Sequence, residues 1–357
     1  MTTEKKNQHY IPKFYLRNFS YFDNKKQIGV FNIRNSFFIP TSKLKTQGSK
    51  NFFYGKDGVI EENLSMVEVY LAKSINTIIS NCKLPEKQSE DYLSLLSFVA
   101  ITDLRSPVSL NAMNQMYNSM EASINELDPS FLEKRPFPKR NNEEIIEGLL
   151  SMTSSVIDII SDLKIKLLIN ETKTPFISSD FPIVKYNQYL EGKTSSSKTG
   201  FGIKGLQIIF PINDKLSIIL FDSSIYKVGN KRDNYLLIKS EKDVDSLNLL
   251  QFVNCLSTIY FNEKVSKNYI VKIFERSKKF KKANQGKSEL SYLVKGEEKL
   301  NEVMKNGKNL LIMNSSDCEI KLDIVGIKKH SEGKKKKIIN PNQLREKPEF
   351  ILSRKKN

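Results

Sequence analysis

A histidine, an aspartate and an arginine are the side chains of this sequence whose types and surroundings best suit chemistry. His9 stands in the segment Gln8-His9-Tyr10-Ile11-Pro12-Lys13-Phe14-Tyr15-Leu16 and is one of only two histidines. Because histidine changes its charge near neutral pH, it suits general acid–base catalysis or contact with a phosphate. A position just before a helix also lies near free backbone N–H groups, which favour an anion. The alternative is that His9 caps this helix or fills a polar notch against the core.

Asp180 belongs to a second candidate segment, Thr174–Val184, in which a strand ends in two hydroxyls and a carboxylate before Pro182 turns the chain. The carboxylate could hold Mg²⁺ or another divalent cation, orient His9, or act as a base. It could also form an Asx-turn, in which the side chain bonds the backbone two residues further on. Spacing alone favours the turn.

Arg105 is one of few arginines, and it follows an apolar helical face in Thr102-Asp103-Leu104-Arg105-Ser106-Pro107. A buried arginine either clamps a phosphate or pairs with an internal carboxylate such as Asp180. Both arrangements look the same in a sequence. The phosphate-binding loops, metalloprotease motifs and nucleophile elbows of familiar enzymes are absent from the sequence, so no complete catalytic motif decides between them.

The patterns that must position these residues predict an α+β protein. Helical periodicity dominates residues 61–162, and the alternation typical of strands begins at Leu163. We therefore expect a mostly helical N-terminal region packed with an antiparallel sheet in the second half. Further predicted elements are a helix from Tyr10 to about Phe22, hairpins at Gln27–Ile33 with Ser36–Thr41 and at Gln207–Pro211 with Leu216–Phe221, a helix after Ser240, a basic helix at Lys264–Lys282, and a last hairpin of Leu310–Met313 with Glu319–Ile327.

The net charge of +17 is concentrated towards the C-terminus, because residues 263–287 carry +7 and residues 326–357 carry +8. This division predicts a core domain at 1–262, a basic helix with a small α/β appendage at 263–325, and a basic, flexible tail at 326–357. Nucleic acid or an acidic protein partner fits such localised charge. Lysine outnumbers arginine, and Asn and Ile are abundant, which an AT-rich genome would also produce.

Composition further predicts a cytoplasmic protein with no membrane association. The three cysteines are far apart, which favours reduced thiols. No apolar run approaches the roughly 20 residues that span a bilayer, and the first residues lack the apolar stretch of a secretory signal.

Three motifs resemble those of the bacterial family known as domain of unknown function 4238. They are His-Tyr-Ile-Pro-x-Phe-Tyr-Leu-x-x-Phe at 9–19, Arg-Ser-Pro at 105–107, and Phe-Ile-Ser-Ser-Asp-x-Pro-Ile at 176–183. The sequence departs from the family pattern after Phe210-Pro211, where Ile212-Asn213-Asp214 replaces an expected Leu-Ser/Thr-Pro turn. The resemblance implies that the motif side chains form one polar cluster of His9, Arg105, Ser179 and Asp180. It implies no activity, and at family level it suggests a role in defence against phage.

The leading hypothesis is a nuclease-like hydrolase that acts on a phosphodiester-containing substrate, most simply nucleic acid. His9 would be the general acid or base, Asp180 a metal ligand or the group that orients His9, and Arg105 the phosphate contact. Two alternatives stay open: a non-enzymatic binding module with a structural cluster, and a sensor of a nucleotide or other phosphorylated small molecule. The further expected substrate contacts are Tyr10, Ser179, Lys278, Lys279, Lys281 and Lys282, the lysines supplying salt-sensitive affinity.

Overall fold

The computed structural model describes residues 6–127, 140–191, 198–282, 286–292, 309–315, 320, 322–330 and 344–345. Within these ranges, helices pack with mainly antiparallel sheets, which confirms the predicted α+β class. Most of the predicted tail at 326–357 and part of the 263–325 appendage lie outside the described residues.

The helices begin and end at recognisable signals. The Ser89 side chain accepts a hydrogen bond from the Tyr92 backbone N–H at the start of one helix, and Asn141 forms a capping box with Glu144 at another. In the part of the chain that is described, no single helix is both long and apolar enough to cross a membrane; Glu90–Leu104 and Pro107–Ala122 meet that test only as a pair bent by 54°. The helices are α1 Lys13–Arg17, α2 Val59–Asn81, α3 Glu90–Leu104, α4 Pro107–Leu127, α5 Asn142–Ser151, α6 Thr153–Ile160, α7 Glu241–Asn254 and α8 Lys267–Ser277.

The strands form one five-stranded sheet, one four-stranded sheet and three two-stranded ribbons among the described residues. The larger sheet has the order β11-β5-β9-β8-β7, and only its β11–β5 pair is parallel. The strands are β1 Asn7–His9, β2 Gln27–Asn32, β3 Phe37–Lys43, β4 Ser49–Asn51, β5 Lys164–Asn170, β6 Ser178–Ser179, β7 Val184–Tyr186, β8 Gln207–Pro211, β9 Leu216–Phe221, β10 Tyr226–Val228, β11 Tyr235–Ile238, β12 Thr258–Phe261, β13 Gly286–Tyr292, β14 Asn309–Ser315 and β15 Ile327–Lys329.

The four-stranded sheet, of order β3-β2-β12-β6, joins the two ends of the core. The predicted hairpins β2–β3 and β8–β9 are confirmed. However, β2 pairs with β12, with Val30 opposite Tyr260, so the N-terminal hairpin shares a sheet with strands of the second half. Such a pairing between segments more than two hundred residues apart leaves no signal in local periodicity.

Three predictions were wrong in detail. The first helix is Lys13–Arg17 rather than Tyr10 to about Phe22, because Pro12 is its N-cap and Asn18 is already its C-cap. Strand β14 pairs with β13, with Asn314 opposite Lys287, rather than with 319–327. The basic helix is shorter than predicted, because the Ser266 side chain caps its start at the Tyr269 N–H and Lys278 is already its C-cap.

The five-stranded sheet is buried on both faces, which explains the nearly continuous apolar runs of its strands. On β8 and β9, Ile208 and Ile218 face a core that includes side chains of α2, α3, α5 and α6. Their neighbours Ile209 and Ile219 face a second core that includes side chains of α7 and α8. Tyr10 and Ile11, which follow His9, belong to the first of these cores, so the N-terminal segment packs on the side of α2 and α3.

Candidate functional site

His9 is held at the end of β1 by pairing with β4, where it lies opposite Ser49. The side chain is buried, and its Nε2 lies 3.1 Å from the backbone carbonyl of Lys45. A carbonyl can only accept, so a neutral His9 carries its proton on Nε2 and leaves the lone pair on Nδ1. Nδ1 has no hydrogen-bond partner in the part of the chain that is described.

The charge state of His9 is set by its surroundings. Burial lowers the pKa of the imidazole to about 4, and the positive charges of Lys13 and Arg105 act in the same direction, while the Lys45 carbonyl opposes them. His9 is therefore neutral at pH 7, with an unused basic nitrogen.

Arg105 caps the C-terminus of α3, and its side chain is 0% exposed. Its Nη1 donates to Oε1 of Glu68 at 2.8 Å, and the Glu68 side chain is 24% exposed. Within the described ranges, Nε and Nη2 have no hydrogen-bond partner of good geometry. A fully buried guanidinium with two unsatisfied nitrogens is costly, since each unsatisfied group loses about 1–3 kcal/mol of hydration. Such a group is a candidate for binding a ligand anion.

A pocket of about 360 Å³ lies beside His9, between β1, α1 and α2. Helix α2 contributes a stripe of Glu61, Ser65 and Glu68, whose spacing of four and three residues puts them on one face. The other lining residues are Asn7, His9 and Lys13. The pocket thus contains a neutral imidazole, an exposed lysine and the carboxylate that pairs with Arg105.

Tyr54 connects the groups of this pocket from behind. Its hydroxyl donates to the His9 carbonyl at 3.1 Å, and its backbone N–H donates to the Gln8 side chain. Burial raises the pKa of the Tyr54 phenol, whereas the neighbouring charge of Arg105 lowers it. Tyr54 therefore fixes the backbone of His9 and lies next to Arg105.

Asp180 is bonded in a different way. Its Oδ1 accepts from the Leu256 N–H at 2.7 Å, and its Oδ2 accepts from the N–H and hydroxyl of Ser257 at 2.8 and 3.0 Å. Burial raises the pKa of this carboxyl, and the three hydrogen bonds oppose the rise. In the described structure the carboxylate fastens the turn between α7 and β12.

The rest of the Asp180 segment is held by a stripe of amides on α7. Asn248 accepts from the Ile177 N–H at 3.1 Å, Gln251 donates to the Pro182 carbonyl at 3.0 Å, and Asn254 donates to the Phe181 carbonyl at 2.6 Å. The predicted substrate contact Ser179 donates to the Gln251 side chain at 2.7 Å. These bonds satisfy backbone groups that an irregular buried segment would otherwise leave unpaired.

His9 and Glu68 line one pocket, Arg105 lies behind Glu68 and outside the lining, and Asp180 lies apart from them. Among the described residues, no hydrogen bond or ion pair joins Asp180 to His9 or Arg105. Tyr10 is buried, and burial raises its pKa, with the charges of Asp180 and Tyr54 acting in the same direction. Sequence patterns did not single out Glu61, Glu68 or Tyr54; the polar stripe at the edge of the α2 core face is the signal that could have found the two glutamates.

The predicted lysine contacts follow α8. Lys278 pairs with Glu275 at 2.5 Å, and Lys279 and Lys281 are exposed. Lys282 points inward, where its Nζ donates to the Phe252 carbonyl and lies 3.4 Å from the Cys255 Sγ. Its charge also lowers the pKa of Asp180, so these lysines belong to the Asp180 side of the molecule.

The residues at Asp180 do not fit the expected Mg²⁺ ion. Both carboxylate oxygens already accept hydrogen bonds, so a cation would have to displace them. Across the described ranges, no three side chains of His, Cys, Asp or Glu lie close enough together to hold a metal ion.

Comparison with known proteins agrees with the resemblance read from the three motifs. The chain belongs to the family described as "Protein of unknown function (DUF4238)", whose sequence model matches residues 7–265. No curated protein matches the chain, and no solved structure does. The matched region contains both His9 and Asp180, as well as α2 with its pocket residues.

Proposed function

We propose that the pocket of His9, Lys13 and Glu68 binds a phosphodiester-containing substrate, most simply nucleic acid, and hydrolyses it. The observation that carries the proposal is a neutral histidine whose Nδ1 has no hydrogen-bond partner among the described residues, in a pocket reached by the charges of Lys13 and the buried Arg105. A phosphate in the pocket would be attracted by the charge of Arg105, which lies behind Glu68 rather than in the lining.

His9 would act as the general base. Its Nδ1 would take the proton from an attacking water as the water oxygen bonds to phosphorus and the ester P–O bond breaks. A base with a pKa of about 4 is weak, but the negative charge of a bound phosphate opposes the effect of Lys13 and Arg105 and raises that pKa. Substrate binding would therefore strengthen the base.

Lys13 and Arg105 would stabilise the charge that develops on the phosphate oxygens. Glu68 would hold the guanidinium in position through the Nη1–Oε1 ion pair. Lys13 is exposed and free to move towards a substrate, so it would bind the phosphate first.

Two lysines on the β4 side of the pocket supply further positive charge for binding nucleic acid. The ammonium groups of Lys50 and Lys56 lie 5.7 and 5.8 Å from the ring centroids of Phe53 and Phe52. Lys50 lies in β4 and Lys56 follows it, so they would contact the backbone of a nucleic-acid strand that enters the pocket.

The experiment is incubation of the purified chain with labelled single- and double-stranded DNA and RNA, with Mg²⁺, Mn²⁺ or chelator. We expect cleavage that Lys13→Ala and His9→Gln each reduce by about 10²-fold or more. Lys26→Ala serves as the matched control, because Lys26 is an exposed lysine outside the pocket. Melting temperatures within a few degrees of wild type would establish that the variants are folded.

Absence of cleavage for every substrate would refute the hydrolase. Cleavage that Lys13→Ala and His9→Gln leave intact would refute the assignment of the pocket.

The second candidate function is a sensor of a nucleotide or other phosphorylated small molecule. The low pKa of His9 favours it, because an efficient base at neutral pH has a pKa near 7. The pocket volume of about 360 Å³ also suits a small ligand. Such a sensor would gain thermal stability with a nucleotide and show no turnover.

Four earlier expectations remain predictions. Mg²⁺ dependence is tested by the chelator arm, and the role in phage defence and the cytoplasmic location rest on the resemblance and on composition. Binding of an acidic protein partner by the basic C-terminal segments is the alternative to nucleic acid there.

A further inference from the structure

Helix α2 presents an apolar stripe to solvent on the side opposite the core. Its inward face consists of Leu64, Leu71, Ile75 and Ile78, all buried. At 100° per residue, Met66, Val69 and Tyr70 lie on the opposite side, and they are 58%, 67% and 68% exposed. Three neighbouring large side chains on one exposed helix face form a patch that soluble proteins normally cover.

The charged residues at the two ends of this stripe become opposite-charge partners when two copies of the helix are related by a two-fold axis. A second copy of α2 can pack antiparallel to the first, with the two-fold axis passing midway between residues 67 and 68. Met66 then contacts Val69 of the other copy, and Val69 contacts its Met66. In the same register Glu62 meets Lys73 at each end, so two opposite-charge pairs enclose two apolar layers. In a parallel arrangement, each charged residue would instead lie beside the same residue of the other copy, which carries the same charge.

We propose that the chain forms a two-fold symmetric dimer through α2, with a second copy of this chain as the occupant of the stripe. Isologous pairing of one patch with itself is the commonest form of homodimer. The pocket residues Glu61 and Glu68 lie on a different side of α2, nearer its core face, whereas Ser65 meets Tyr70 of the other copy in this register, so the second copy would lie at the edge of the pocket. The inference goes beyond the proposed function and does not depend on it.

The test is sedimentation velocity of the full chain over a concentration series. One helix pair buries less than a standard interface of about 1,600 Å², so we expect dissociation in the range of roughly 1–100 µM. Met66→Glu puts a carboxylate into both central layers and should weaken the dimer at least about tenfold.

The charge pairs provide the sharper test. Glu62→Lys and Lys73→Glu each create two like-charge pairs and should each weaken the dimer by roughly fivefold or more. The double variant Glu62→Lys/Lys73→Glu restores opposite charges and should return to within about threefold of wild type. Phe37→Glu, which changes an exposed apolar residue on β3, is the matched control and should have no effect.

Two results would overturn the dimer. One is a wild-type chain that stays monomeric over the whole series. The other is a double variant no stronger than its two single variants while all of them keep the wild-type melting temperature.

Discussion

Replacing Arg105 by methionine separates a binding role from a structural one. Among the described residues the guanidinium makes one ion pair, with a Glu68 side chain that is itself partly exposed. Losing that bond costs about 1.5–3 kcal/mol, whereas removing two unsatisfied buried nitrogens returns about 1–3 kcal/mol each. Glu68 can turn to water, so it is not left as a buried charge. We therefore expect Arg105→Met to leave the free energy of unfolding unchanged or to raise it by about 1–3 kcal/mol.

The assay is urea unfolding followed by circular dichroism, with binding of a labelled oligonucleotide measured on the same samples. The predicted combination is retained or increased stability with loss of pocket binding and turnover, as is usual where a site keeps a costly group for function. A loss of more than about 3 kcal/mol would refute the reasoning, because that is the cost of breaking a buried pair that holds the fold. Ser97→Ala, a change at a half-buried position on α3, is the control.

The remaining predictions concern pH, the Asp180 segment and the basic lysines. The pKa of His9 is lowered from 6.5 to about 4, so its contribution to stability is present above pH 6.5 and is lost as the pH falls through 4. Urea unfolding should show that this loss reaches up to about 3 kcal/mol. The pH dependence should be absent from His9→Gln. Asp180→Asn places an NH₂ group among the N–H donors of Leu256 and Ser257 and should lower the free energy of unfolding by roughly 2–4 kcal/mol, measured by urea unfolding. A variant of unchanged stability would show that the carboxylate does not hold the turn between α7 and β12. The triple variant Lys278→Ala/Lys279→Ala/Lys281→Ala should lower the slope of log affinity against log salt by about 2–3 in fluorescence anisotropy, and an unchanged slope would exclude these lysines from the interface.

Local patterns predicted the elements well where local chemistry decides them. The β2–β3 hairpin and the boundary at Arg105 follow from turn residues and from a proline that ends a helix. The five-stranded sheet was predicted from the alternation that begins at Leu163, although β8 and β9 are in fact buried at every position. The pairing of β2 with β12 was not, since it depends on segments that meet only in the fold.

The candidate site was predicted in part. His9 lines the pocket and Arg105 pairs with Glu68 behind it, but Asp180 bonds a turn some 75 residues further along the chain, and nothing in its own segment indicates that partner. Glu68 was overlooked because a glutamate on an exposed helix is usually a solvated one. Only the approach of α3 to α2 turns it into the partner of a buried arginine.

The central claim is that a phosphate binds beside His9, and nuclear magnetic resonance of the imidazole tests it most directly. The chain has only two histidines, so the signal that His9→Gln removes belongs to His9 and can be followed through a pH titration. His9 should titrate near pH 4 in the free protein and at clearly higher pH when a short single-stranded oligonucleotide is bound. His330 lies at the start of the basic tail, so its signal reports binding there. A His9 titration that no oligonucleotide moves, while His330 responds, would contradict the account and place nucleic-acid binding on the tail alone.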